Sequence, residues 1–296
     1  MKKAIFLILA LIFMCFGTLY AAPIKIAAAL PDLGSIAASI GGDKVEVFSI
    51  AKSNTNAHFV EVLPSYMVKV SRAAIYLKVG LALDQWSDEI IDGSRNNKIT
   101  IIDCSNGISV LQKPTGKVDA SLGDVHPEGN PHYWLDPSNG VIIANNILAG
   151  LIKIDPANSE YYNKNYQSFK SESETRIAGW KLKMSKLSGS KILGYHSSWI
   201  YFAHAFDLTI AGYVEPLPGI PPTGKHLIDL VNIIKGNNIT VLLQEPYFPD
   251  ETPQFLARQT GLKVFKAAPS CVDVKPGSFF AHFDDVINQI TTAGGK

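Results

Sequence analysis

The stretch Ile24-Lys-Ile-Ala-Ala-Ala-Leu-Pro-Asp-Leu-Gly-Ser-Ile-Ala-Ala-Ser-Ile-Gly-Gly-Asp-Lys-Val-Glu-Val-Phe-Ser-Ile-Ala51 decides the fold class. Residues 24–30 form a short apolar run with strand character, and 45–51 form a second. Pro31-Asp32 ends the first run. Residues 33–40 then read as a helix stopped by Gly41-Gly42. A strand, a helix and a strand in so short a span is the unit of a parallel sheet, since parallel neighbours need a crossover between them.

The alternation continues outward. Helices are expected at 64–72 and 84–92, and strands at 74–79 and 98–103. After an irregular segment comes a helix at 141–154. Residues 160–187 hold no proline and one glycine and are rich in Lys, Glu, Ser and Tyr, so they predict one long helix. At 1.5 Å per residue it spans roughly 40 Å, the width of a domain, and suits a strut between two lobes. The second half repeats the alternation. Strands are expected at 191–195, 207–214, 239–244 and 263–265, and helices at 197–205, 226–234, 253–260 and 279–291. A proline-rich loop lies at 216–222. The expected class is α/β: two lobes, each a parallel sheet flanked by helices, joined by one long rigid helix. The boundaries are 23–158 for the first lobe, 159–188 for the linking helix and 189–296 for the second.

Residues 1–22 read as a secretory leader. Lys2-Lys3 precede an apolar run at 5–16 that is too short for a comfortable membrane span, and small residues follow. Cys15 raises a lipid anchor, but Ile12-Phe13-Met14 lacks the small residue expected beside a lipidated cysteine, so a soluble exported protein is favoured. Export permits a disulfide between Cys104 and Cys271, although their spacing does not decide whether they meet. The chain of 296 residues is 47% hydrophobic and 18% charged, enough for a sizeable core. Its net charge of +1 becomes −1 once the leader lysines are removed. Neither value, with no basic run, suits nucleic acid or an anionic membrane surface.

Gly123-Asp-Val-His-Pro-Glu-Gly-Asn-Pro-His-Tyr-Trp-Leu-Asp-Pro137 is a stiff loop, because Pro127 and Pro131 fix φ and remove donors. It presents His126, His132, Asp124, Glu128 and Asp136 just before a helix. His58 lies past a strand, and His196 ends another. Ligands of open parallel sheets gather outside the carboxyl ends of the strands. That rule draws His58, His132 and His196 toward one crevice, with Glu245 at a further strand end. Imidazoles with a carboxylate suit tetrahedral Zn²⁺. No single spacing here is a strong metal motif.

Several segments resemble one family. They are Ser35-Ile-Ala-Ala-Ser-Ile-Gly-Gly42, Asn56-Ala-His-Phe-Val-Glu-Val-Leu-Pro-Ser65, Val79-Gly80 with Trp86, His132-Tyr-Trp-Leu-Asp-Pro137, Gly194-Tyr-His-Ser-Ser-Trp-Ile-Tyr-Phe202 and Leu243-Gln-Glu-Pro-Tyr-Phe248. In order and content they resemble the periplasmic zinc/manganese-binding proteins of ABC importers, the ZnuA- or TroA-like solute-binding proteins. The resemblance implies a metal held between two lobes on His58, His132 and His196, a membrane permease as partner, and no catalysis. The sequence departs from the family in having Asn56-Ala57 before the first histidine and no long His-rich loop. Where the family carries its carboxylate ligand, Lys266-Ala-Ala-Pro-Ser270 has none. The fourth position therefore falls to Glu245, Asp273 or a water, with Glu245 the best fixed of these. Three imidazoles and at most one carboxylate favour Zn²⁺ over Mn²⁺, which prefers more oxygen. A monomer is expected. The alternative is an exported zinc-dependent hydrolase using the three histidines with Glu245 as base. His204 and His282 read as surface or packing residues, His226 as a helix-start residue, and His126 as a possible auxiliary ligand.

Overall fold

A computed structural model describes residues 22–294 except Lys117, Ala120, Leu122 and Asp124. The leader, apart from Ala22, and Asp124 lie outside the described residues. The first lobe holds β1 (Ile24–Ala28), α1 (Pro31–Gly41), β2 (Val45–Ser49), α2 (Pro64–Val70), β3 (Ile75–Lys78), α3 (Trp86–Ser94), β4 (Thr100–Asp103) and α4 (Asn139–Ile154). Next comes α5 (Ser159–Met184). The second lobe holds β5 (Lys191–Gly194), α6 (Ile200–Ala205), β6 (Thr209–Tyr213), α7 (Gly224–Gly236), β7 (Val241–Gln244), α8 (Glu251–Thr260), β8 (Lys263–Lys266) and α9 (Ser278–Gly294).

Each half forms a four-stranded, all-parallel sheet of the same order, β2-β1-β3-β4 in the first and β6-β5-β7-β8 in the second. The expected fold class is the observed one. Strand β1 lies inside its sheet and is fully buried over Ile26–Ala28, as a strand covered on both faces must be. Its crossover helix α1 is buried nearly all round. Small residues permit this close approach: a methyl on Gly34 would stand 2.6 Å from a Val274 methyl.

Helix α5 runs unbroken for 26 residues, roughly 39 Å, and Gly179 does not interrupt it. It is polar because it buries only a narrow stripe of Tyr162, Phe169, Ser173, Trp180 and Met184. That stripe faces α1, α4 and α9. Arg176 and Trp180 both donate to the Asp284 carboxylate at 2.8 Å, joining α5 to α9.

Two features went beyond the expectation of separate lobes. After β8 the chain crosses back, so α9 packs on α1 and α5 of the first half. Phe279, Phe280 and Phe283 enter a core that also contains Ile26 and Leu77 from one sheet and Ile192 and Leu243 from the other. A smaller core lies under α7 and α8, around Leu230, Leu242 and Leu256. The lobes therefore meet over a shared apolar interior, which disfavours a wide hinge motion. Cys104 and Cys271 are buried free thiols rather than a disulfide. Among the described residues no helix is long and apolar enough to cross a membrane.

Candidate metal centre

Two of the three histidines are presented by the same local device. Asn56 Oδ1 accepts the backbone N–H of His58 at 3.0 Å, and Asn130 Oδ1 accepts that of His132 at 3.0 Å. Both are Asx turns, in which a short amide side chain bonds the backbone two residues on. The sequence signal is Asn-x-His, present as Asn56-Ala-His58 and Asn130-Pro-His132. His196 needs no such turn. It follows β5 in extended backbone, with φ −110° and ψ 170°, and the chain then tightens into the short turn Ser197–Trp199.

The three rings converge at the lobe interface. Centroid separations are 5.1 Å for His58–His132, 5.2 Å for His58–His196 and 5.5 Å for His132–His196. One ring nitrogen from each lies within 4.8 Å of the other two, and among the described residues no other histidine, cysteine or acid joins this group. The Nε2 atoms of His58 and His132 are 3.1 Å apart. Two Zn–N bonds of about 2.0–2.1 Å at a tetrahedral angle would set their nitrogens about 3.3–3.4 Å apart.

Each ring has a different outer partner. His132 Nδ1 faces Asn130 Oδ1 at 3.0 Å. The Asn130 amide nitrogen is already donating to Gln112 Oε1 at 3.0 Å and to the Ser197 carbonyl at 2.8 Å. Its oxygen is therefore an acceptor, and His132 carries its proton on Nδ1 and a lone pair on Nε2. His196 Nδ1 donates to the buried carboxylate of Glu215 at 2.7 Å, which leaves its Nε2 lone pair free. That Nε2 is buried without a hydrogen-bond partner. His58 Nδ1 meets His126 Nε2 at 3.3 Å. Such outer partners set the tautomer and aim of metal-binding imidazoles. Burial, then the neighbouring imidazoles, holds the His58 and His132 rings well below the usual histidine range. Both stay neutral near pH 7, the form that binds a metal ion.

The carboxylates divide. Glu245 follows β7 and is fully buried. Burial pushes its pKa up to about 7, while the His196 ring and then the Ser198 hydroxyl pull the other way. It is near His196 but outside the cluster of three ligand nitrogens. Asp273 is engaged elsewhere. Its oxygens take Ser278 Oγ at 2.6 Å and the Lys275 backbone N–H and ammonium at 2.8 and 2.9 Å. Those bonds, the Ser278 one first, hold its pKa at about 2. Sequence reasoning missed Glu215 and Asn130. Glu215 was within reach of the rule that named Glu245, because Glu215-Pro216 also sits just past a strand.

The bland readings of the other histidines hold. His204 is exposed, His226 bonds the Tyr213 carbonyl at the start of α7, and His282 packs against Phe283. Trp134 and Trp199 are fully buried, and the Trp134 ring lies 5.4 Å from that of His132. A cavity of about 260 Å³ opens beside the cluster, with His126, Asn130, Ser197 and Glu215 in its wall.

Residues 26–293 match the family model ZnuA, described as the periplasmic component A of the zinc-uptake complex. The chain is 26% identical over 243 residues to the iron-binding protein YfeA of Yersinia pestis, covering 80% of this chain and 74% of that protein. It is 24% identical over 253 residues to the manganese ABC transporter substrate-binding lipoprotein PsaA of Streptococcus pneumoniae serotype 4, covering 82% and 78%. A crystal structure of ZnuA superimposes with a TM-score of 0.79 at 25% identity, over 92% of this chain and 99% of that one.

Proposed function

The chain belongs to the ZnuA family of periplasmic metal-uptake components, and from that membership we propose that it captures Zn²⁺ between its lobes and delivers it to an ABC importer permease. The ligands in this reading are His58, His132 and His196, with Glu245 completing the sphere. The observation that carries it is the convergence of three imidazoles whose outer partners differ but leave their inner nitrogens together. Glu245 suits the fourth role because a fully buried carboxylate is costly, and a divalent cation beside it removes that cost.

Zn²⁺ is favoured on ligand softness: three nitrogens and one oxygen suit it better than Mn²⁺. YfeA and PsaA, by their names, bind iron and manganese, so family membership alone does not choose the metal. The hydrolase alternative loses ground to the family, whose members are carriers. A carrier also needs no open coordination position, whereas a catalytic zinc keeps one for water. Residues 23–158 and 189–296 would be the functional lobes and 159–188 the strut, with α9 reaching back across the boundary. Export would follow cleavage of the leader at 1–22, giving a soluble periplasmic monomer rather than a lipid-anchored one, although PsaA is named a lipoprotein.

Titration of metal-free protein with Zn²⁺ by competition against a chelator tests the site. Nanomolar affinity corresponds to about 12 kcal/mol, and three or four rigidly held donors can supply it. His132→Ala should weaken binding by about a thousandfold or more, roughly 4 kcal/mol, through loss of one of those bonds. Unchanged affinity in a folded variant would refute the assignment.

A further inference from the structure

The two ligands of the first lobe stand on loops far apart in sequence, yet both loops are bonded to one turn. His58 follows Ala57, whose carbonyl accepts the indole N–H of Trp86 at 2.9 Å. His132 precedes Tyr133, whose hydroxyl donates to the carbonyl of Val79 at 2.8 Å. Val79 and Trp86 bracket the turn from β3 into α3. All four anchoring residues are buried, so neither bond competes with water.

The turn has an improbable backbone. Gly80, Leu81 and Ala82 have φ values of 79°, 51° and 59°. Glycine is needed at 80 on two counts, since a Cβ there would also stand 2.3 Å from Asp103 Oδ1. Leu81 and Ala82 do carry a Cβ, and two such residues in succession in the left-handed region require an external constraint. Asp84 supplies it. Its side chain is 1% exposed, its Oδ2 accepts the Val79 N–H at 2.8 Å, and its Oδ1 accepts the Gly80 N–H at 3.1 Å. The Leu83 N–H closes the turn onto the Gly80 carbonyl at 3.1 Å.

We propose that the turn 79–86 is the positioning element of the metal site and that Asp84 is its positioning residue. By fixing Val79 and Trp86 relative to each other, Asp84 fixes the loops that carry His58 and His132 at coordinating separation. The inference rests on the ligand assignment proposed above and deepens it. The first-lobe half of the site is built before any ion arrives, and His196 joins it from the other lobe. Asp84 acts only through other residues and touches no ligand.

The test uses the full mature chain with Asp84→Asn, the paired variant Trp86→Phe/Tyr133→Phe, and His58→Ala and His132→Ala in parallel. Asn at 84 keeps one acceptor and loses the other. The paired variant keeps the Tyr133 ring and puts a smaller phenyl in place of the Trp86 indole, so both anchoring bonds go together with part of the packing at 86, and metal-free unfolding reads that packing loss separately. Zinc affinity, the visible spectrum of bound Co²⁺ and metal-free thermal unfolding are measured on each. Asp84→Asn and the paired variant are expected to lose roughly 10–100-fold in zinc affinity, the range of outer-partner losses at metal sites. The cobalt bands should shift in shape or intensity. A role confined to stability would lower the melting temperature and leave the cobalt spectrum and the affinity of folded protein as they were. The proposal is overturned if the folded paired variant keeps its affinity within about twofold and the parent cobalt spectrum, while His58→Ala and His132→Ala each abolish tight binding. If those two alanine variants also bind normally, the ligand assignment has failed and this inference falls with it. Should Asp84→Asn not fold, the paired variant decides alone.

Discussion

Replacing Glu215 separates an aimed ligand from a merely nearby one. His196 Nδ1 and Glu215 Oε2 are 2.7 Å apart, with side chains 6% and 8% exposed, so little solvent screens the bond. A hydrogen bond to a charged group contributes about 1.5–3 kcal/mol and a neutral one about 0.5–1.5 kcal/mol. Glu215→Gln keeps the acceptor and the tautomer but loses the charge. The difference is about 1–1.5 kcal/mol, which predicts roughly a tenfold loss of zinc affinity. Glu215→Ala removes the acceptor as well, so His196 can turn or change tautomer. Its expected loss lies at the upper end of outer-partner effects, about 100-fold or 2.7 kcal/mol. The Gly219 N–H also bonds Glu215 Oε2 at 3.1 Å, so the loop it belongs to will loosen in the alanine variant. Metal-free unfolding should therefore be followed beside a chelator-competition assay for Zn²⁺. The graded order, parent tighter than Gln tighter than Ala, is the signature. If folded Glu215→Ala binds within twofold of the parent, the view that this carboxylate aims His196 is wrong.

Three other substitutions read different parts of the molecule. Asn130→Ala strips His132 of its outer acceptor and cuts the bond to the Ser197 carbonyl across the lobes. Zinc affinity should fall roughly 10–100-fold, whereas Asn56→Ala, which removes only the turn before half-buried His58, should cost less than about fivefold; equal losses in the two variants would contradict this. Asp32 is fully buried, and burial raises its pKa from 3.8 to about 6 although the Cys271 N–H donates to it at 3.1 Å. Because the folded-state value lies above the unfolded one, its contribution to stability is complete below about pH 4 and is lost as pH rises through about 6. The loss amounts to about 3 kcal/mol. Asp32→Asn, which keeps an acceptor for Cys271, should therefore gain stability relative to the parent between pH 4 and pH 7 in urea unfolding of metal-free protein. A variant-minus-parent difference that does not change with pH would show that this group does not carry the effect.

The shared core bears on how the ion is released. Asn130 reaches the Ser197 carbonyl, the Tyr201 hydroxyl donates to the Asn130 carbonyl at 2.9 Å, and Leu111 N–H donates to that same hydroxyl at 2.9 Å. These bonds join the lobes within a few residues of His132 and His196. Small local shifts of the ligand loops fit this construction better than domain closure around a hinge.

Much of the architecture was legible in the residues. Apolar runs such as 24–30, each followed by a helix-compatible stretch and a glycine stop, are local patterns, and local patterns suffice to announce parallel strands and their crossovers. The unbroken polar run at 160–187 likewise predicted α5, because absence of proline and helix propensity are local properties. Position along the chain singled out the histidines, His58 past a strand, His132 before a helix and His196 at a strand end, and Asn-x-His is a further local signal at the first two. The tertiary structure decided which carboxylate meets which partner. Glu215 and Glu245 both sit before a proline at a strand end, and only the register and packing of β5 against its neighbours on either side place one on His196 Nδ1 and leave the other fully buried near that ring. The same holds for the return of α9 to the first lobe and for the separation of Cys104 from Cys271. Contacts between segments far apart along the chain depend on which surfaces bury together, and that is a property of the whole packed molecule rather than of any one stretch.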